Sequence, residues 1–143
     1  MAETLTTLQV IENGFRNVVI RGAFVSADGS GIANQVIYNA TSSGAFGVTI
    51  AGHTYYPGIY TKLVALDFDV QDMKFRLDWE ATANSLIMAF GASPEDFNWR
   101  KIGGIPVPSG LVGATGSILL STIDCMPNST LTFVLTLRKG VPQ

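Results

Sequence analysis

Short apolar or alternating runs recur along the chain, separated by clusters of Gly, Pro, Asn, Asp and Ser. That pattern is the signature of strands joined by turns. It predicts strands over residues 7–12, 17–25, 35–39, 46–50, 62–70, 73–80, 85–90, 98–102, 116–122 and 130–139. Turn signals fall between them at Asn13-Gly14, Asp28-Gly29-Ser30-Gly31, Ser42-Ser43-Gly44, Pro57-Gly58 and Pro106-Val107-Pro108-Ser109-Gly110. No window carries a capped apolar stripe of period 3.6. One helical turn is predicted at residues 93–96, with Ser93 as N-cap, Pro94 as first residue and Asp96 in the N-terminal turn.

The sharpest alternation lies in residues 64–80. Val64, Leu66, Phe68 and Val70 share one face of the first run, and Met73, Phe75, Leu77 and Trp79 share one face of the second. A hairpin centred between Gln71 and Asp72 sets Phe68 opposite Phe75, Leu66 opposite Leu77 and Val64 opposite Trp79. Its other face matches Asp69 with Lys74 and Asp67 with Arg76, the pairings that stabilise an antiparallel ladder. Gln-Asp is not a preferred two-residue turn, so a four-residue loop serves equally. In the last run Leu131, Phe133, Leu135 and Leu137 face one way, and Thr130, Thr132, Thr136 and Arg138 the other. Many short strands, each buried on one side, imply two antiparallel sheets packed face to face. The expected fold is all-β: a jelly roll first, an immunoglobulin-like sandwich second. The chain reads as one domain over residues 1–143, with a long loop around 106–113 and arm-like ends at about residues 1–6 and 140–143.

At 143 residues the chain is long enough for one core without disulfide or metal. Only 14% of its residues are charged while 47% are apolar, against a usual charged share of about 25%. A lightly charged surface suits a protein that spends its life docked. Net charge is −2 with the basic residues scattered, which speaks against nucleic-acid binding. The single cysteine, Cys125, excludes an internal disulfide and fits a reducing cytoplasm. No signal-peptide pattern opens the sequence, and no run of 18 apolar residues suggests a membrane span.

Catalytic and metal-binding candidates are few, and the expectation is a non-enzyme with no cofactor and no metal. His53, the sole histidine, sits in Gly52-His53-Thr54-Tyr55-Tyr56-Pro57-Gly58, which reads as a loop with no nucleophile elbow to serve. Cys125 reads as an inert, buried or half-buried thiol. Asp67 and Asp69 share a strand face and could hold calcium or act as a glycosidase pair, but Lys74 and Arg76 are expected to neutralise them. Gly29-Ser30-Gly31-Ile32-Ala33-Asn34 is a turn, and Gly113-Ala114-Thr115-Gly116 lacks the Lys-Ser/Thr of a P-loop. Trp79 is expected in the core. Trp99, beside Arg100 and Lys101, and the cluster of Tyr55, Tyr56 and Tyr60 remain open between an interface, a sugar platform and filling for the ends of the sandwich. The interface candidates are Leu5 and Leu8 of the N-terminal arm and Tyr55 and Tyr56 of the tyrosine loop.

Arg16-Asn17-Val18-Val19-Ile20, Trp79-Glu80-Ala81-Thr82 and Gly103-Gly104-Ile105-Pro106, followed by Gly113-Ala114-Thr115-Gly116-Ser117-Ile118 and the final strand, form an ordered set. From about Val10 to Lys139 the chain resembles small virion structural proteins of tailed bacteriophages, the capsid cement or decoration type, including a jelly-roll form from a Bordetella podophage. The resemblance implies a non-enzymatic protein on the outer surface of the capsid. Made in the host cytoplasm, it would bind the major capsid protein and clamp neighbouring subunits, as a homo-dimer or other homo-oligomer. The 53–57 loop has no counterpart in that pattern. A phage head-fibre, tail or receptor-binding module and a carbohydrate-binding β-sandwich remain the alternatives.

Overall fold

The computed structural model describes residues 2–91 and 95–140. Among the described residues twelve strands are present: β1 (Thr7–Asn13), β2 (Asn17–Val25), β3 (Gln35–Tyr38), β4 (Val48–Ile50), β5 (His53–Tyr55), β6 (Lys62–Gln71), β7 (Lys74–Trp79), β8 (Ser85–Phe90), β9 (Glu95–Asn98), β10 (Ile105–Pro106), β11 (Ile118–Ile123) and β12 (Thr130–Arg138). Short 3-10 turns occupy Gly58–Tyr60 and Arg100–Ile102. The fold is an all-β sandwich. One sheet runs β1-β2-β12-β6, with β9 and β10 along the far side of β6; the other runs β3-β11-β7-β8. A separate two-stranded ribbon, β4-β5, stands apart from both.

Alternation along each strand builds the core. Antiparallel register stacks Ile20, Leu135 and Leu66 in one row across β2, β12 and β6, and Phe24, Leu131 and Val70 in another. All six are at most 1% exposed. The second sheet answers with Tyr38, Ile118 and Trp79 in a row, each also at most 1% exposed. Gly22 pairs with Phe133. A Cβ at Gly22 would stand far inside van der Waals contact with the Phe133 ring, so glycine is what lets the ring pack against the strand here.

The β6–β7 segment is not a hairpin. β6 pairs with β12, β9 and β10, and β7 pairs with β11 and β8. The chain arches from one sheet to the other through Asp72, whose φ is +62°, and the Ser129 hydroxyl donates to the Asp72 carbonyl at 2.9 Å. Phe68 and Phe75 do meet, edge to face at 5.0 Å, but across the core rather than along a ladder. An arch and a hairpin need the same apolar alternation, and only the turn separates them: Gln-Asp lacks the pair of positive-φ residues that a tight hairpin demands. The expected Asp69–Lys74 and Asp67–Arg76 matches therefore do not form. Arg76 instead grips Asp78 on its own strand through two bonds of 2.8 and 2.9 Å.

Other expectations shift. Residues 100–102, expected as strand, form a 3-10 turn, and the strand lies earlier, at β9. Asp96, expected in a helical turn, lies in β9, while Ser93 and Pro94 lie outside the described residues. The N-terminal segment is no free arm from Ala2 on. The Glu3 backbone N–H donates to the Gly31 carbonyl at 2.7 Å. Its carboxylate accepts from the Ser26 hydroxyl at 2.6 Å and from the Ala27 and Gly31 amides at 2.8 and 3.0 Å. At the other end Lys139 donates its backbone N–H to the Arg16 carbonyl at 2.6 Å.

Candidate docking surfaces

Every residue of β1 is exposed on an edge strand. Its apolar side chains are Leu8, Val10 and Ile11, 41%, 47% and 55% exposed. Leu8 pairs with Gly22 and Val10 with Ile20, so both continue the inner, core-facing side of the first sheet. That sheet is five strands wide and its partner four, counting β9 and β10 as one position along β6. β1 is thus an overhang with its inner face uncovered. Its outward edge also presents backbone donors and acceptors without a ladder partner among the described residues. Edge strands are normally blunted by Lys, Pro or a bulge. Here a bulge at Ile11, between Val10 and Glu12, and the charge of Glu12 are the only such devices.

Of the four interface candidates, Leu8 lies on this edge. Leu5 is half-buried against the core, its N–H held by the Gln35 side-chain oxygen at 2.7 Å. Tyr55 is the last residue of the β4-β5 ribbon, and Tyr56 leads out of it. The ribbon turns at Ala51 and Gly52, both at positive φ (+52° and +82°), as a tight hairpin requires. His53, expected in a loop, is therefore the first residue of β5, exposed, with its ring edge-on to Tyr55 at 4.4 Å. Both tyrosines are half-buried, and Tyr60 is 49% exposed. Trp99 is half-buried and lies flat on Phe97, the rings 3° apart at 5.6 Å.

The polar candidates do not converge. Asp67 and Asp69 sit on the outer face of the first sheet, in an open groove of about 790 Å³ shared with Arg21, Glu95, Asp96 and Val134. Asp67 stands directly opposite Asp96 on β9, a like-charge pairing. Cys125 packs half-buried against the core beside Gly31, on a different element from His53. Among the described residues no three His, Cys, Asp or Glu side chains are placed to hold a metal ion. No described helix is long and apolar enough to cross a membrane. Tyr38, buried with its hydroxyl 3.1 Å from that of Thr61, has its pKa pushed up to about 12 by burial. That makes it a core phenol rather than a reactive one.

The residues missed in the sequence are Val10, Ile11 and Lys139. Apolar alternation at Leu8 and Val10 was legible, but nothing in the pattern says that no strand lies opposite them. Comparison with protein-family models, curated proteins and solved structures finds no match to this chain.

Proposed function

We propose that this protein is a non-enzymatic virion structural component that binds the outer surface of a tailed-phage capsid and cements neighbouring subunits, using β1 as a docking strand. The observation that carries the docking reading is β1 itself: seven exposed residues with an uncovered apolar face and an open backbone edge. A partner strand added there would satisfy the ladder and cover Leu8 and Val10, the mode known as β-augmentation. The capsid is the assembly that the ordered sequence motifs point to, with the major capsid protein as partner and a homo-dimer as the working unit.

We further read the architecture as a jelly roll. Without β1, the sheets are β2-β12-β6-β9/β10 and β3-β11-β7-β8. The chain changes sheet at β2–β3, from β3 through the β4-β5 ribbon to β6, and at β6–β7, β8–β9, β10–β11 and β11–β12. Two four-stranded sheets linked this way support that reading. A rigid sandwich whose edge and ribbon reach two neighbours gains from effective concentration, and binding only the assembled shell stabilises it by mass action. The carbohydrate-binding alternative expects an exposed aromatic row. Trp99 instead lies on Phe97, and the exposed Phe15 and Tyr60 belong to separate segments. Co-sedimentation with capsids lacking this protein tests the proposal. Saturable binding that raises capsid heat stability supports it; no binding redirects the search to a glycan screen.

A further inference from the structure

Lys139 is a buried cation, only 6% exposed. Its ammonium has three N–H donors. One goes to the Asn13 side-chain oxygen, and the Phe46 ring centroid lies 6.0 Å away. Both partners are neutral. The ion pair among the described residues is Arg76–Asp78, elsewhere on the surface. Burial pushes the Lys139 pKa down, with no carboxylate opposing it. A buried charge is ordinarily paired, and among the described residues this one has no salt-bridge partner. Asn13 is itself fixed, its amide donating to the Ala45 carbonyl at 2.9 Å, so its oxygen stays turned to the lysine.

Beside this lysine lies an open pocket of about 250 Å³, between the β1–β2 turn and the base of the β4-β5 ribbon. Asn13, Gly14, Phe15, Gly47, Val48 and Thr49 line it with Lys139. Val48 is buried, while Phe15 stands 60% exposed at the rim. We propose that this pocket is a carboxylate-binding site in which Lys139 supplies the cation and Phe15 and Val48 receive the apolar body attached to the carboxylate. One ammonium balances a single negative charge, which favours a carboxylate over a doubly charged phosphate. The volume falls below the ~300–1,000 Å³ of pockets that enclose whole ligands, so it fits an end group: a small free acid or the carboxylate terminus of a chain. The site shares Asn13 with the end of β1, at the opposite end of the strand from Leu8, and stands or falls separately from the capsid reading.

The test is an NMR titration of the intact chain at constant ionic strength with butyrate, N-acetylvaline, N-acetylvalinamide and inorganic phosphate. The expected result is saturable shifts at Gly14, Gly47 and Lys139 with butyrate and N-acetylvaline, and none with the amide. Lys139→Met should weaken binding about tenfold or more, the usual cost of losing a charge-assisted bond. Binding of butyrate alone assigns the site to free acids; binding of N-acetylvaline as well extends it to chain termini. Preference for phosphate, equal binding of the amide, or equal binding by Lys139→Met overturns the proposal. Should Lys139→Met fail to fold, the Lys139 Cε resonance of the natural protein decides. Saturating butyrate must raise its titration midpoint, and an unmoved midpoint overturns the site.

Discussion

The close packing of Phe133 on Gly22 gives a quantitative test of the core. Gly22→Ala drives a methyl into the Phe133 ring, whose residue is 3% exposed and cannot swing out to water. Overpacking of this kind costs about 1–3 kcal/mol. The loss of backbone freedom in the unfolded chain returns about 0.4–1 kcal/mol. The net expectation is about 1–2 kcal/mol, or roughly 3–8 °C in Tm for a chain of this size. Phe133→Leu alone should cost about 1–2 kcal/mol by leaving a void over the glycine. Together the changes fit each other, because the added methyl occupies part of the space the ring vacates. The double variant should therefore be no worse than either single one, a coupling of about 1–2 kcal/mol. Urea unfolding followed by fluorescence of Trp79, which is 1% exposed, reads all four species. Additivity within about 0.5 kcal/mol would mean that the two residues do not share one space, and the packing argument would fail.

Further predictions concern electrostatics and surfaces. Arg76→Met should destabilise by roughly 1–2 kcal/mol and more than Asp78→Asn does, since it strands a nearly buried carboxylate whereas Arg76 can reach water; denaturant midpoints rank the two. Hydrogen bonds from Ser26, Ala27 and Gly31 hold the Glu3 carboxyl below its ordinary pKa of 4.5. A carboxylate lowered in this way contributes stability above its unfolded pKa and loses it as pH falls through the folded value. Protection of the Ala27 and Gly31 amides against exchange, relative to their intrinsic rates, should therefore fall below about pH 4.5, and Glu3→Gln should flatten that dependence. Tyr38 should stay protonated until about pH 12 in a phenolate absorbance titration. Tyr55→Ala with Tyr56→Ala should weaken docking only if the ribbon contributes to it, and capsid binding by the double variant measures that contribution.

Much of the fold was legible because burial on one face leaves a period of two. β2, β6, β8 and β12 begin where the alternation places them, and Leu131, Phe133, Leu135 and Leu137 are all buried. Sheet membership was not legible between β6 and β7. Phe68 and Phe75 make the same contact whether their strands pair or face each other, and the difference lies in the turn at Gln71 and Asp72. β5 was hidden because His53-Thr54-Tyr55 has no apolar alternation: none of its three residues is fully buried. Glu3 carried no sign in the sequence that its carboxylate would pin the chain end to Gly31, which lies 28 residues away. For the surfaces, Leu8 was readable as apolar and exposed. Its significance depends on the second sheet being one strand narrower, a property of topology that no local pattern encodes. That no described carboxylate pairs with Lys139 is likewise a fact of three dimensions.

The most direct test of the central claim compares the natural protein with a Leu8→Lys, Val10→Lys double variant for binding to purified capsids lacking this protein. Both side chains are exposed, so the variant should fold with stability within about 1 kcal/mol of the parent. The account predicts saturable capsid binding by the natural protein and loss of that binding, with Tm nearly unchanged, in the variant. Undiminished binding by a folded variant would contradict the role of β1, and no binding by the natural protein would contradict the capsid reading itself.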